Sequence, residues 1–171
     1  MKLFSILLIF FLTSFAKTKE NRAHREHGVH AHGAGTLGIA FEGTSGRIDL
    51  KITSESIVGF EYAPKSAKDK KKRDTALLTL EKNISEMIVF DPSLNCRISK
   101  EKIEIVAESE KHSNLVAGFG VACGKSPVGT EIVLNFQKQF PNIKDLDVEV
   151  VADNIQKSVE AKKNSTRLLL K

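Results

Sequence analysis

Four of the five histidines in the chain, His24, His27, His30 and His32, fall within nine consecutive residues, in the run His24-Arg-Glu-His27-Gly-Val-His30-Ala-His32-Gly33. Imidazole is the commonest protein ligand for borderline divalent ions and binds them as the neutral base, the form an ordinary pKa near ~6.5 favours at neutral pH. In an extended chain His30 and His32 project to one side, and a helical turn brings His24 and His27 together. With Glu26 adding a carboxylate, three or four donors can converge on one ion, which suits the four-coordinate nitrogen and oxygen shell of zinc. Copper and nickel are also content with imidazole, and the affinity order favours copper. The competing reading is that an exposed, glycine-containing tract gathers histidines without a role. The fifth histidine, His112, sits in the polar stretch Glu110-Lys111-His112-Ser113-Asn114. A solvated loop residue is the ordinary reading there. It joins the metal ligands only if the fold carries it to the tract.

Other chemistries find less support. A metal hydrolase needs an open coordination position and a general base, as in a His-Glu-x-x-His helix, and His24-Arg-Glu-His27 has the wrong spacing. No Gly-x-Ser-x-Gly, phosphate-binding loop or nucleotide-binding glycine pattern occurs, so the chain is not expected to be an enzyme. A Cu(I) carrier would favour methionine-rich stretches, whereas Met1 and Met87 are the only methionines.

The tract directly follows what reads as an export signal. Lys2 forms a small positive region, Leu3 to Leu12 an apolar one broken only by Ser5, and Ser14-Phe15-Ala16 offers small residues at the cleavage positions. A cut after Ala16 leaves 155 residues with 25 basic and 21 acidic side chains, a surplus of +4. That length suits one domain. The apolar run is too short to span a bilayer, which takes ~20 such residues. Three segments follow: a signal peptide over 1–16, a histidine-rich metal-binding arm over 17–35, and a single domain over 36–171. The arm has no large apolar residue except Val29, so it is expected to be exposed and mobile when empty and ordered by metal. Cys96 and Cys123 are the only cysteines. In an oxidising compartment they are expected to form a disulfide, worth roughly 3 to 4 kcal/mol on the chain-entropy model. The rival use, as two thiolate ligands beside the histidines, lacks short metal-motif spacing.

The body that positions these residues reads as α+β, an antiparallel sheet with one long packed helix. Leu37, Ile39 and Phe41 alternate with small residues, a turn-rich Glu42 to Gly46 follows, and Ile48, Leu50 and Ile52 alternate with charges, which predicts a hairpin. Ile57 to Phe60 continues as extended chain until Pro64. Leu77, Leu80, Ile84, Met87 and Ile88 share one face of a helix expected from Ala67 to Ile88, ending before Asp91-Pro92. Period-two patterns then predict strands around Ile103 to Ala107, Ile132 to Phe136 and Leu146 to Val150, the nearly continuous small-and-apolar run Leu115 to Cys123 predicts another, and Thr166 to Leu170 reads as a last edge strand. Asp153 to Lys163 is polar and weakly patterned. Such a body can bury a core without metal.

Two blocks, His30-Ala-His32-Gly-Ala-Gly-Thr-Leu-Gly-Ile-Ala-Phe-Glu-Gly43 and Ile57-Val-Gly-Phe-Glu-Tyr-Ala-Pro64, resemble the ZrgA-type family of periplasmic zinc-binding proteins. Cys96, the pattern His112-Ser113-Asn114 with Cys123 eleven residues on, and Phe136 to Phe140-Pro141 leading to Leu146-Asp-Val148 follow the same layout. The resemblance implies zinc capture in the periplasm of a Gram-negative cell, in service of uptake through a separate membrane transporter. Members of the family usually carry histidine where this chain has Tyr62 and aspartate where it has Asn114. Many also carry a long histidine-rich insertion, whereas this chain has the run Lys68-Asp-Lys-Lys-Lys-Arg73. Without that insertion the chain is expected to buffer less metal than such members, a handful of ions at most. Export argues against nucleic acid as the run's partner, and without interleaved aromatics its ordinary reading is a solvated face, with an acidic patch on a transporter as the alternative.

Overall fold

The first hairpin forms as its alternation predicts. The structure, a computed structural model, describes residues 32–171; the signal read over 1–16 and the arm up to residue 31, with His24, His27 and His30, lie outside the described residues. Strand β1 (Ala34–Glu42) pairs antiparallel with β2 (Ser45–Thr53), Leu37 opposite Leu50 and Ile39 opposite Ile48. The first strand thus opens inside the stretch read as arm. Both strands bury the apolar member of each alternating pair and expose the other, as a sheet with one covered face requires.

Further strands extend this hairpin into a six-stranded sheet. β4 (Arg97–Ala107), β5 (Ser113–Ala122), β7 (Asp145–Ala152) and β8 (Ile155–Glu160) add to it in the order β4-β5-β2-β1-β7-β8. All pairs are antiparallel except β1 with β7, which run parallel. A smaller sheet of β3 (Ile88–Phe90), β6 (Glu131–Leu134) and β9 (Thr166–Leu169) runs in the order β3-β6-β9. The chain is mostly strand and rich in antiparallel pairs, with two sheets where one was expected.

The long helix α2 (Ala67–Met87) starts where Ser66 caps it. The Ser66 hydroxyl accepts the Asp69 N–H at 3.0 Å and donates to the Asp69 carboxylate at 2.8 Å, while Asp69 also meets the positive end of the helix dipole. Leu80, Ile84 and Met87, at four- and three-residue spacing, bury its inner face. They join Phe119, Leu115, Ile48, Leu50 and Ile132 in one core. Each fully buried side chain of that size contributes ~2 kcal/mol. The helix ends at Met87, one residue before the expected limit, because Ile88 turns extended to pair with Leu134.

Three other segments depart from the sequence reading. Ser54–Val58, expected to be extended at its end, is a short helix, α1. It closes because Gly59 takes φ +87 and donates its N–H to Glu55 O at 2.8 Å. Phe136, expected in a strand, opens the single turn α3 (Phe136–Gln139) and is buried. The weakly patterned segment after Asp153 forms β8, an edge strand with Ile155, Lys157 and Val159 half-buried. Cys96 and Cys123 are bonded, S–S 2.07 Å, joining the entry to β4 with the exit from β5.

Candidate metal centre

The antiparallel pairing of β2 with both β1 and β5 brings three chain positions to one end of the sheet. These are the two residues before β1, the residues after β2 and the residue before β5. They deliver His32, Glu55 and His112.

His32 is aimed by Gly33. Gly33 has φ +87, and a Cβ there would come within 2.8 Å of Lys144 Cγ and 2.9 Å of Asn142 O, so only glycine fits. Its carbonyl accepts the N–H groups of Lys144 and Asp145 at 2.8 and 3.1 Å, fixing the chain just before β1. Glu55 lies in the first turn of α1, on the far side of the Thr53 corner. Its Oε2 is in direct contact with His32 Nδ1.

Glu61 completes the group from the loop after α1. Its side chain is only 8 % exposed, yet it reaches two imidazoles: Oε2 lies 2.6 Å from His112 Nδ1 and Oε1 lies 3.8 Å from His32 Nδ1. Oε1 is buried and has no hydrogen-bond partner among the described residues. Its backbone is clamped by Ser113, whose hydroxyl donates to Glu61 O at 2.6 Å. One donor atom each from His32, Glu55 and Glu61 lie within 4.8 Å of one another.

His112 is held just as firmly. The N–H groups of Glu108 and Ser109 donate to its carbonyl at 2.9 and 3.1 Å, and its own N–H donates to Ser109 Oγ at 3.1 Å. Glu108 in turn meets Lys51 Nζ at 3.0 Å and the Asn114 amide, tying the turn to the sheet. His112 is therefore no isolated loop residue; it faces the cluster through Glu61. All five buried polar residues among those described lie at or beside these strand ends: Thr53 closes β2, Ser54 and Ser56 follow it in α1, and Ser113 and Asn114 open β5. Polar side chains are kept from core interiors unless partnered, so this end of the core is specialised.

Glu55 and Glu61 carry the charge of −2 that offsets a divalent cation, and with the His32 imidazole they supply the nitrogen and oxygen donors of zinc's shell. Burying the Glu61 carboxylate with one bare oxygen is costly without a cation to receive it. His112 is placed to orient the Glu61 carboxylate, as outer-shell partners of metal ligands do. The donors line an open cleft of about 400 Å³ with Phe60, Tyr62, Glu110 and Lys111.

Of the residues named from sequence, His32 lies in this cluster and His112 touches it; His24, His27 and His30 lie outside the described residues. The cysteines are spent on their disulfide and are not donors here. Glu55 and Glu61 were missed. Neither has a spacing relation to the histidine run, and the one signal in their favour was that Glu61 stands inside the Ile57 to Pro64 block. Of the two departures noted in the sequence, Tyr62 lines the cleft, while Asn114 lies behind it, its amide on Glu108, whose N–H holds the His112 carbonyl.

A family model described as ZrgA family zinc uptake protein matches residues 29–170, a span that includes the whole cluster. No curated protein matches the chain.

Proposed function

The chain belongs to the ZrgA family of zinc uptake proteins, and from that premise we propose that it is a periplasmic zinc-binding protein that captures the ion and hands it toward a membrane transporter. Zinc is its cargo. The observation that carries the reading is the His32, Glu55 and Glu61 group, with its bare, buried Glu61 oxygen and His112 behind it. The arm adds His24, His27 and His30 as further donors, and His30 is only two residues from His32, within ~7 Å along the chain. We read the protein as a binder rather than an enzyme, since a group fed by a terminal arm suits reversible loading better than the fixed geometry of catalysis. Among the described residues no helix is long and apolar enough to cross a membrane.

Equilibrium dialysis against a competing chelator, with native mass spectrometry, tests this reading. Wild-type protein is expected to retain at least one zinc ion per chain. The H24A/H27A/H30A variant should bind at least tenfold more weakly, and the H32A/E55Q/E61Q variant should lose the tightest ion. Wild-type protein that yields all its zinc to the chelator, or two variants that retain it like wild type, would overturn the proposal. Copper or nickel retained in preference to zinc from an equimolar mixture would reassign the cargo.

A further inference from the structure

The charge of this protein is not spread evenly. Residues 65–73 contain Lys65, Lys68, Lys70, Lys71, Lys72 and Arg73 against the single acid Asp69. Their surplus of five equals the net charge of +5 for the entire chain, so the remainder is balanced. Asp69 is occupied in capping α2, and Arg73 pairs with Asp74 at 2.7 Å. The five lysines are exposed and have no carboxylate partner among the described residues. Lys68 to Lys72 span ~6 Å of helix.

This cationic shoulder adjoins the metal cleft. Lys72 Nζ stands 5.7 Å from the centre of the Phe60 ring, Phe60 stacks on Tyr62 at 4.6 Å and 19°, and both rings line the cleft with His32, Glu55, Glu61 and His112. Tyr62 is the most exposed of the large hydrophobic side chains among the described residues, at 52 %. The face thus has an acidic mouth, an exposed aromatic step and a strongly basic shoulder. Concentrated lysines do nothing for capture of a free cation, because their field is screened within ~8 Å at physiological salt. They do complement an anionic partner. A protein that takes zinc from this mouth must bring oxygen and nitrogen donors of its own. A carboxylate-rich surface supplies those donors and matches the shoulder. Exposed aromatic rings beside such charge are typical contact anchors.

We propose that Tyr62 and the lysines of the first turns of α2 form a docking face for an acidic, zinc-accepting protein surface, so that transfer occurs where the partner sits. The idea rests on the zinc-capture reading for its purpose but not for its contact. In the native host, a photo-reactive phenylalanine analogue is placed at position 71 of the full-length protein, with position 128, exposed on another part of the surface, as control. The expected result is one protein adduct from position 71, mapped by mass spectrometry to an Asp/Glu-rich segment of a metal-handling protein, and none from position 128. Adding K70E and K72E should abolish the adduct and lower zinc-limited uptake roughly tenfold, by loss of electrostatic steering. Zinc affinity of the purified K70E/K72E protein should stay within twofold of wild type, which separates lost docking from lost binding. No adduct, an adduct only with lipid, an adduct only with a second copy of this chain, or uptake unchanged by charge reversal would overturn the docking face. An adduct from a wild-type protein that fails to hold zinc would preserve the face and sink the zinc reading alone.

Discussion

Replacing Glu61 by glutamine separates a metal-binding role from a structural one, because the two predict opposite signs. The substitution keeps the side chain's shape and one carbonyl oxygen while removing the charge. At an effective dielectric of about 20, a carboxylate and a unit positive charge 4 Å apart attract by about 4 kcal/mol, and a divalent ion doubles that. Desolvation of the ion returns roughly half, leaving a net loss of about 3 to 4 kcal/mol, or about 100- to 1,000-fold in zinc affinity. The metal-free protein should respond the other way. Glu61 is only 8 % exposed, with Oε1 unpartnered and His112 a cation only when protonated. Removing a buried, incompletely partnered charge should leave the metal-free protein as stable as before or stabilise it by about 1 kcal/mol, a rise of about 2 to 5 °C in Tm. Chelator-competition titration at pH 7.4 gives the first quantity and calorimetry on chelator-stripped protein the second. An E61Q protein that binds zinc within threefold of wild type and melts several degrees lower would show that Glu61 serves His112 structurally, and the centre as described would be wrong.

Three further perturbations bear on the same centre. H112A should weaken zinc binding by about 10- to 100-fold, the effect of removing an outer-shell partner; competition titration reads it, and a loss as large as that of E61Q would make His112 a direct ligand. Replacing Cys96 and Cys123 by serine should lower stability by about 3 kcal/mol while leaving the number of ions seen by native mass spectrometry unchanged, since both sulfurs are consumed in the bridge; zinc lost from a variant that still folds would revive the thiolate reading. Acidification from pH 7 to 5.5 should reduce zinc affinity steeply. Imidazole binds metal only after shedding its proton, so each imidazole ligand adds up to tenfold loss per pH unit below its own titration range; an affinity flat over that interval would point to carboxylates alone.

Alternation and helical spacing made most of the elements legible. The hairpin of β1 and β2, the face of α2 that buries Leu80, Ile84 and Met87, and strand β7 each repeat a local pattern of apolar side chains that the core enforces, while β5 is buried along nearly its whole length and shows as a continuous small-and-apolar run. Where local pattern misled, a neighbouring contact decided. The segment before Gly59 is apolar enough for a strand, but the left-handed glycine folds it into a helical turn. β8 is weakly patterned because an edge strand buries little and needs little apolar alternation.

By itself, then, the sequence determined the histidine run, the family blocks, the cysteine pair and the periodic elements, all properties carried by residues close together in the chain or by composition. The metal centre is a different kind of property. His32 and His112 stand 80 positions apart, and Glu55 and Glu61 belong to no metal-ligand spacing. Only the strand order β5-β2-β1 sets the start of β1, the end of β2 and the start of β5 side by side. The Ser113 clamp on the Glu61 backbone and the His112 contact with its carboxylate then fix Glu61 between two imidazoles. Strand pairing is settled by burial of the whole apolar face, a sum over the entire chain that no local stretch records.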